Sequence, residues 1–358
     1  MLAQKFAAAE KILVINLLYL GDLIFSLPLL AEIKKQRPDI KLDLVANSNF
    51  AALAAQADFI DQVFAYDKNF SLSQSLHFAR ERKQKNYPMS LNIHGSWRSV
   101  ILQYLCGGDF RAGYHRGGQQ IFLHHSKKWD PKERHMVEFY LDWTGELGLT
   151  RPEEPTLPAL SINQQAEKKI RQKLADGLAF QSAPAISKEF WVINTGGSWP
   201  SKRWPEEKFV ALTEKILEAT DKAVVFSGSQ ADFDRNETIL AEVNAGSFEQ
   251  YETRLWNAAG STTIPELIAL LRQAELMISG DSGPVHVAAL VDTPTLTLFG
   301  PSDEVKYHPY HKKGQIIKNA RLNCRPCGEH NCPLESHDCL EKLSVAQVWQ
   351  EIVTLGVL

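Results

Sequence analysis

Continuous apolar runs, each followed by an amphipathic stretch, recur along this chain, and few architectures accept that pattern. KILVINLL is apolar at nearly every position, as a parallel strand covered on both faces must be. LIFSLPLLAEIKKQ then reads as a helix, KLDLVANS as a strand, FAALAAQ as a short helix and DQVFAYD as a strand. SLSQSLHFARERKQK is helical, MSLNIHG a strand and SVILQYLCG a helix, and loops lead to a helix around Met136–Leu147. RPEEPTLP, from Arg151 to Pro158, reads as a linker or crossing strand. A second cycle follows: strand EFWVINTGG, helix EEKFVALTEKILEAT, strand KAVVFSGS, helix ADFDRNETILAEVN, helix TIPELIALLRQA, strand LMISG, helix GPVHVAALV and strand TPTLTLFG. The pattern predicts an α/β fold of two Rossmann-like, doubly wound halves, residues 1–155 and 156–358. Facing halves of this kind bind ligands in a cleft at the carboxyl edges of their sheets, so functional residues are expected where strands end.

The length of 358 residues suits two domains of roughly 150–180 residues each. A net charge of −3 argues against a general nucleic-acid binder, which carries a basic stripe. No apolar run reaches the roughly 20 residues that span a bilayer. Glu10 and Lys11 interrupt the amino-terminal apolar stretch, which reads as a short helical or ragged arm rather than a signal peptide, so a cytoplasmic location is expected. Cys106 stands alone, while Cys324, Cys327, Cys332 and Cys339 cluster with His330 and His337 between them. Four thiols at that spacing could hold a structural zinc, form disulfides or remain free.

Four strand ends carry the chemistry. In NLLYLGDLIFSLP, Asp22 stands at or near a helix start, as a capping aspartate or as a general base at the edge of the sheet. In NTGGSWPSKRWPEE, a glycine loop with Ser198 precedes Lys202 and Arg203, which suit a phosphate group, and Trp204-Pro205-Glu206 opens a helix. In VVFSGSQADFD, Asp232 is an ordinary first-turn acid or an acceptor for ribose hydroxyls. In ISGDSGPVHVAAL, Asp281 or Ser282 can cap a helix with Pro284 in its first turn and His286 alongside. The unpaired N–H groups there form an anion site. No GxGxxG follows a strand, which argues against a nicotinamide oxidoreductase. Basic and aromatic residues gather at Trp97, Arg98, Arg111, His115, Arg116, Lys127, Lys128, Arg134 and His135, with few acids between Trp97 and Trp129. They form either a dock for an anionic acceptor or a solvated charged face.

Taken together, ILVINLLYLGDLIFSLPLL, SKRWPEEKFVAL, FSGSQAD, ISGDSGPVHVAAL, TLFGPSD and CRPCGEHNCPLESHDC resemble the ADP-heptose:lipopolysaccharide heptosyltransferases of glycosyltransferase family nine. The resemblance covers nearly the whole chain. It implies the GT-B fold and inverting transfer of heptose from ADP-L-glycero-D-manno-heptose to the lipopolysaccharide inner core, with no metal required. It implies an acceptor-binding first domain, a donor-binding second domain and peripheral contact with the inner face of the cytoplasmic membrane. By position it gives Asp22 the role of catalytic base and places Ser198, Lys202, Asp232, Asp281, Ser282, Gly283 and His286 on the donor. Arg98, Arg116 and His135 are the acceptor-binding candidates. The SKRWP loop and the cysteine tail look more like the second-heptose branch. Another nucleotide sugar or acceptor, or binding without turnover, are the alternatives.

Overall fold

The computed structural model describes residues 1–178, 190–245 and 249–357. The chain divides into two compact units, Met1–Ser161 and Ile162–Leu358. Thr150 and Gln36 exchange two hydrogen bonds, and the Ser161 amide donates to the Gln56 carbonyl, so the segment read as a linker is fastened to the first unit.

The first unit contains α1 (Leu2–Ala7), β1 (Lys11–Asn16), α2 (Leu20–Gln36), β2 (Lys41–Asn47), α3 (Ala51–Ala54), β3 (Gln62–Tyr66) and α4 (Leu72–Lys83). It continues with β4 (Met89–Asn92), α5 (Trp97–Cys106), β5 (Phe110–His115), β6 (His125–Lys128) and α6 (Met136–Leu147). Its strands form one parallel sheet in the order β3-β2-β1-β4-β5-β6.

The second unit contains α7 (Gln164–Gly177), β7 (Phe190–Asn194), α8 (Glu206–Ala219), β8 (Ala223–Ser227), α9 (Phe233–Ala245), β9 (Leu255–Asn257) and α10 (Ile264–Gln273). Then come β10 (Leu276–Gly280), α11 (Gly283–Leu290), β11 (Thr295–Phe299), α12 (Glu304–Tyr307), β12 (Gly314–Lys318), α13 (Asp338–Glu341) and α14 (Val345–Leu355). Its parallel sheet runs β12-β11-β10-β7-β8-β9. Both orders are the doubly wound 3-2-1-4-5-6, and the order reverses between β1 and β4 in one unit and between β7 and β10 in the other.

The central strands are buried at almost every position, which matches their unbroken apolar sequence. Helices start where local chemistry satisfies their first N–H groups. Ser71, Ser96, Thr263 and Ser344 cap α4, α5, α10 and α14, each in a reciprocal capping box. Pro205 is the residue before α8 rather than its first residue. The sequence does not announce β5, β6, α7, β9, β12 or α14. Glu189, expected at the start of a strand, lies outside the described residues. Among the described residues no helix is long and apolar enough to cross a membrane.

A carboxylate is sealed inside the first unit with a hydroxyl partner. Asp43 on β2 is buried and accepts a 2.5 Å hydrogen bond from the Tyr87 hydroxyl. Burial and this carboxylate push the Tyr87 phenol well above its ordinary range. Tyr87→Phe leaves the carboxylate short of a donor and is expected to destabilise the first unit by about 1–3 kcal/mol, read as a lower denaturant midpoint at unchanged slope.

Candidate active site

At the point where the first sheet reverses, the end of β1 is built by Asn16. Its buried side-chain oxygen accepts from the Leu18 amide (3.0 Å), and its side-chain nitrogen donates to Ser26 Oγ (3.0 Å) and towards the Asp22 carbonyl (3.5 Å). The strand end is thereby tied to the opening turns of α2. Asp22 is the third residue of α2, whose N-cap is Tyr19, so it sits in the first turn without capping it. There the helix dipole favours a negative charge. The Tyr140 hydroxyl on α6 donates to Asp22 Oδ1 at 3.4 Å.

The neighbouring strand end repeats the device. Asn92, the last residue of β4, accepts from the amides of His94 (2.9 Å) and Gly95 (3.0 Å) before α5 begins at Trp97. Arg98 donates to the Lys68 carbonyl at 2.7 Å. Burial and the charge of Arg98 lower the Lys68 ammonium pKa, and Asp22 acts in the opposite sense. Lys68 Nζ lies 5.0 Å from the centre of the exposed Tyr19 ring. Arg116 rests its guanidinium on Trp129 (3.8 Å) and donates to the His94 carbonyl at 3.4 Å. Burial, then the charges of Arg116 and Lys68, push His94 down to about 3, so its ring is neutral at pH 7. Lys68, Arg98 and Arg116 thus belong to one cationic neighbourhood beside a carboxylate. Lys68 and Tyr140 are absent from the sequence-derived set, and only the fold brings them to Asp22. His135 is different. It is buried, caps α6 by accepting from the Val137 amide (3.1 Å) and packs edge-on to Phe25 (4.9 Å).

In the second unit the reversal lies between β7 and β10. The loop after β7 carries Gly196, Gly197 and the exposed Ser198, then a single 3-10 turn at Pro200–Lys202. Lys202 Nζ donates to Asp281 Oδ2 at 2.7 Å, and His286 Nε2 lies 3.6 Å from Asp281 Oδ1. Asp281 and His286 are buried. Burial alone would raise the Asp281 carboxyl, but the His286 hydrogen bond and the Lys202 charge prevail and hold it far below the usual carboxylate range. Arg203 clamps the Gly197 carbonyl (3.2 and 3.3 Å). Gly280 is required here, because a Cβ on it would stand 2.9 Å from the Lys202 carbonyl oxygen. Ser282 is the N-cap residue of α11 but makes no side-chain cap, since its hydroxyl pairs with Ser279 at 2.8 Å. The first turn of α11, with Gly283 and Pro284, therefore has no side chain capping its N–H groups.

Asp232 accepts from the amide (2.8 Å) and hydroxyl (2.7 Å) of Ser229, so part of its carboxylate caps the turn that begins α9. A Cβ on Gly196 would stand 2.6 Å from its other oxygen, so a larger residue there would push the Asp232 carboxylate aside.

The cysteine tail holds the lysine loop. Ser201 donates from its amide to the His330 carbonyl (3.3 Å) and from its hydroxyl to the Glu329 carbonyl (2.6 Å), and His337 Nε2 donates to the Ser201 carbonyl (2.6 Å). Trp199 stacks on His330 at 4.1 Å. Cys324, Cys327, Cys332 and Cys339 line one small cavity of about 60 Å³, together with Ser201 and His337. They are free thiols, and burial raises Cys339 to about 11. Among the described residues no group of three or more His, Cys, Asp or Glu side chains is placed to hold a metal ion.

Two six-stranded, parallel, doubly wound units with charged strand-end loops are the parts of a GT-B fold. The fold superimposes on the glycosyl transferase family 9 structure from Veillonella parvula (TM-score 0.83, 23% identity, 97% of each chain). It also superimposes on the ADP-heptose LPS heptosyltransferase II of E. coli (TM-score 0.78, 21% identity, 96% of this chain and 98% of that one). In sequence the chain is 24% identical to lipopolysaccharide heptosyltransferase 2 of Salmonella typhimurium, over 86% of this chain and 88% of that relative. Residues 75–337 match the model of glycosyltransferase family 9 (heptosyltransferase), and the chain belongs to that family.

Two predictions follow from the charges. Asp281→Leu strands the largely buried Lys202 ammonium and is expected to cost the second unit about 3 kcal/mol, whereas the double variant Lys202→Met/Asp281→Leu restores most of that loss in a denaturation cycle. His94 titrates near 6.5 when unfolded and near 3 when folded. The first unit therefore loses stability as pH falls from about 6.5 towards 3, by up to about 1.4 kcal/mol per pH unit, and His94→Gln should flatten that part of the curve.

Proposed function

We propose that the protein transfers a heptose, with inversion, from ADP-L-glycero-D-manno-heptose to the lipopolysaccharide inner core. The observation that carries this reading is the buried Lys202–Asp281–His286 group beside the start of α11, which offers a cation and N–H groups for a diphosphate. In the reaction the acceptor oxygen attacks the anomeric carbon and its proton passes to Asp22. The bond from that carbon to the diphosphate oxygen breaks, and ADP leaves with the bonding electrons. Negative charge grows on the leaving diphosphate, where Lys202 and the α11 N–H groups stabilise it. Asp281 is a positioning residue, since a carboxylate cannot itself bind phosphate oxygens but does orient Lys202 and His286. Ser198, Ser282 and Gly283 line the diphosphate, and Asp232 takes the ribose hydroxyls with the carboxylate oxygen that Ser229 leaves to it. The scheme routes no step through a metal.

On the acceptor side, Arg98 and Arg116, joined by Lys68, neutralise the anionic groups of the core sugars, while His135 supports α6 from within. The names of the relatives favour addition of the second heptose. An acceptor carried by a lipid places the enzyme at the inner face of the cytoplasmic membrane, in peripheral contact.

The test is ADP release from ADP-heptose, with and without a heptosylated Kdo–lipid A acceptor. Release is expected to depend on acceptor. Asp22→Asn should lower kcat by about 10²–10⁴-fold while the affinity for ADP stays within twofold. Acceptor-dependent release with a different nucleotide sugar alone would reassign the donor. Unchanged turnover in Asp22→Asn would remove the base assignment.

A further inference from the structure

Helix α5 has an outer face that a helix on a water-facing surface does not ordinarily carry. Its inner face, Ser99, Val100, Leu102, Gln103 and Cys106, is buried on the first unit. Its outer face presents Trp97, Ile101 and Tyr104, at successive spacings of four and three, and these are 50%, 43% and 50% exposed. The 3-10 turn Gly118–Phe122 extends this face. Tyr104 meets Phe122 edge-on at 5.4 Å, the Trp97 ring lies 3.5 Å from where a Cβ on Gly118 would be, and Ile121 is 76% exposed. These side chains make one apolar patch rather than scattered exposures.

The rim of the patch is basic. Arg111 lies over the Tyr104 ring at 5.2 Å, and Arg98 and Arg116 are exposed next to Trp97 and the 3-10 turn. From Ile93 to Lys128 the chain has five Lys or Arg residues and a single acid, Asp109, although the whole chain carries a net charge of −3. An apolar centre of Trp, Tyr, Ile and Phe with a cationic rim matches an anionic lipid surface, where aromatic rings sit at headgroup depth and Arg and Lys meet phosphates. A second copy of this chain is a poorer match, because pairing two such faces opposes like charges.

We infer that the α5 outer face and the 3-10 turn Gly118–Phe122 dock the first unit onto anionic lipid bilayers. The inference deepens the reading above and rests on it for the lipid-borne acceptor. Arg98, at the start of α5, would then lie where the sugar of an embedded acceptor leaves the headgroup layer.

The experiment is flotation of the full-length protein with phosphatidylcholine vesicles and with vesicles containing roughly one-third phosphatidylglycerol. The wild type is expected to float with the anionic vesicles, and to do so less at high salt. Ile101→Glu/Ile121→Glu should lower the bound fraction at least tenfold, while Val353→Glu on α14 leaves it unchanged. Circular dichroism and the thermal midpoint establish that the double variant is folded. Failure of the wild type to float with anionic vesicles overturns the inference. So does equal flotation of the folded double variant, or a dimer in sedimentation that the double variant abolishes in the absence of vesicle binding. Because flotation needs neither donor nor acceptor, it is independent of the functional reading. A protein that floats but releases no ADP with any acceptor loses its proposed reaction and keeps its membrane face. With activity present, the double variant should match wild type on a delipidated acceptor and fall behind on a vesicle-embedded one.

Discussion

Every strand in both sheets runs parallel to its neighbours, and the rest of the molecule follows from that constraint. Parallel strands bring all carboxyl ends to one edge, and the reversal of strand order opens a gap between two of the loops there. The loops must then leave the sheet without orphaning the last backbone groups. Asparagine solves this repeatedly. β1, β2, β4 and β9 end on Asn16, Asn47, Asn92 and Asn257, and each side-chain oxygen accepts the amide two residues on. Asn194 ends β7 and donates instead across the sheet, to the Ser227 carbonyl at the end of β8. Chemistry-bearing residues sit beyond these rigid turns, so their positions inherit the precision of the sheet.

The second unit illustrates what such precision is used for. Lys202 and Asp281 come from loops that follow adjacent strands, and Gly280 lets the two backbones approach without a side chain between them. A buried ion pair contributes little net stability compared with an apolar pair of the same volume. Its retention makes sense as storage of a positioned cation. In the proposed reaction a diphosphate at α11 would share the Lys202 ammonium with Asp281, whose carboxylate His286 and Lys202 hold ionised. Under that proposal the lysine would need no reorganisation to meet the charge that grows on the leaving group.

The parts of this design that were legible in sequence are the local ones. Strands buried on both faces spell themselves out, as in KILVIN and FWVIN, and the residues after them point to Asp22, Lys202 and Asp281. Strands β6, β9 and β12 lie at or beside sheet edges, where one side meets solvent. Their sequences, HSKK, LWN and GQIIK, lack the apolar run or the clean alternation that marks a strand. FRAGYH, which forms β5, interrupts its apolar residues with glycine and arginine. Helix α7 buries just Ala166, Ile170 and Leu174, a stripe one residue wide, and is otherwise mostly polar. Partners brought from afar were illegible for a different reason. Tyr140 is 118 residues from Asp22, and nothing in either local sequence encodes that contact. His135 was singled out for its aromatic and basic neighbours in sequence, and what sequence did not convey is that its ring is buried and caps α6.

The cysteine tail shows how a segment without catalytic side chains can still govern the site. Three hydrogen bonds from the tail converge on Ser201, the residue before Lys202, and Trp199 on the other side is fixed by stacking on His330. Lys202 Nζ lies 4.4 Å from the centre of that same Trp199 ring, so the stack also sets the face along which the ammonium rests. A 3-10 turn of three residues has too few internal hydrogen bonds to hold a lysine in place by itself. The rigidity of this loop is therefore imported from residues more than a hundred positions later.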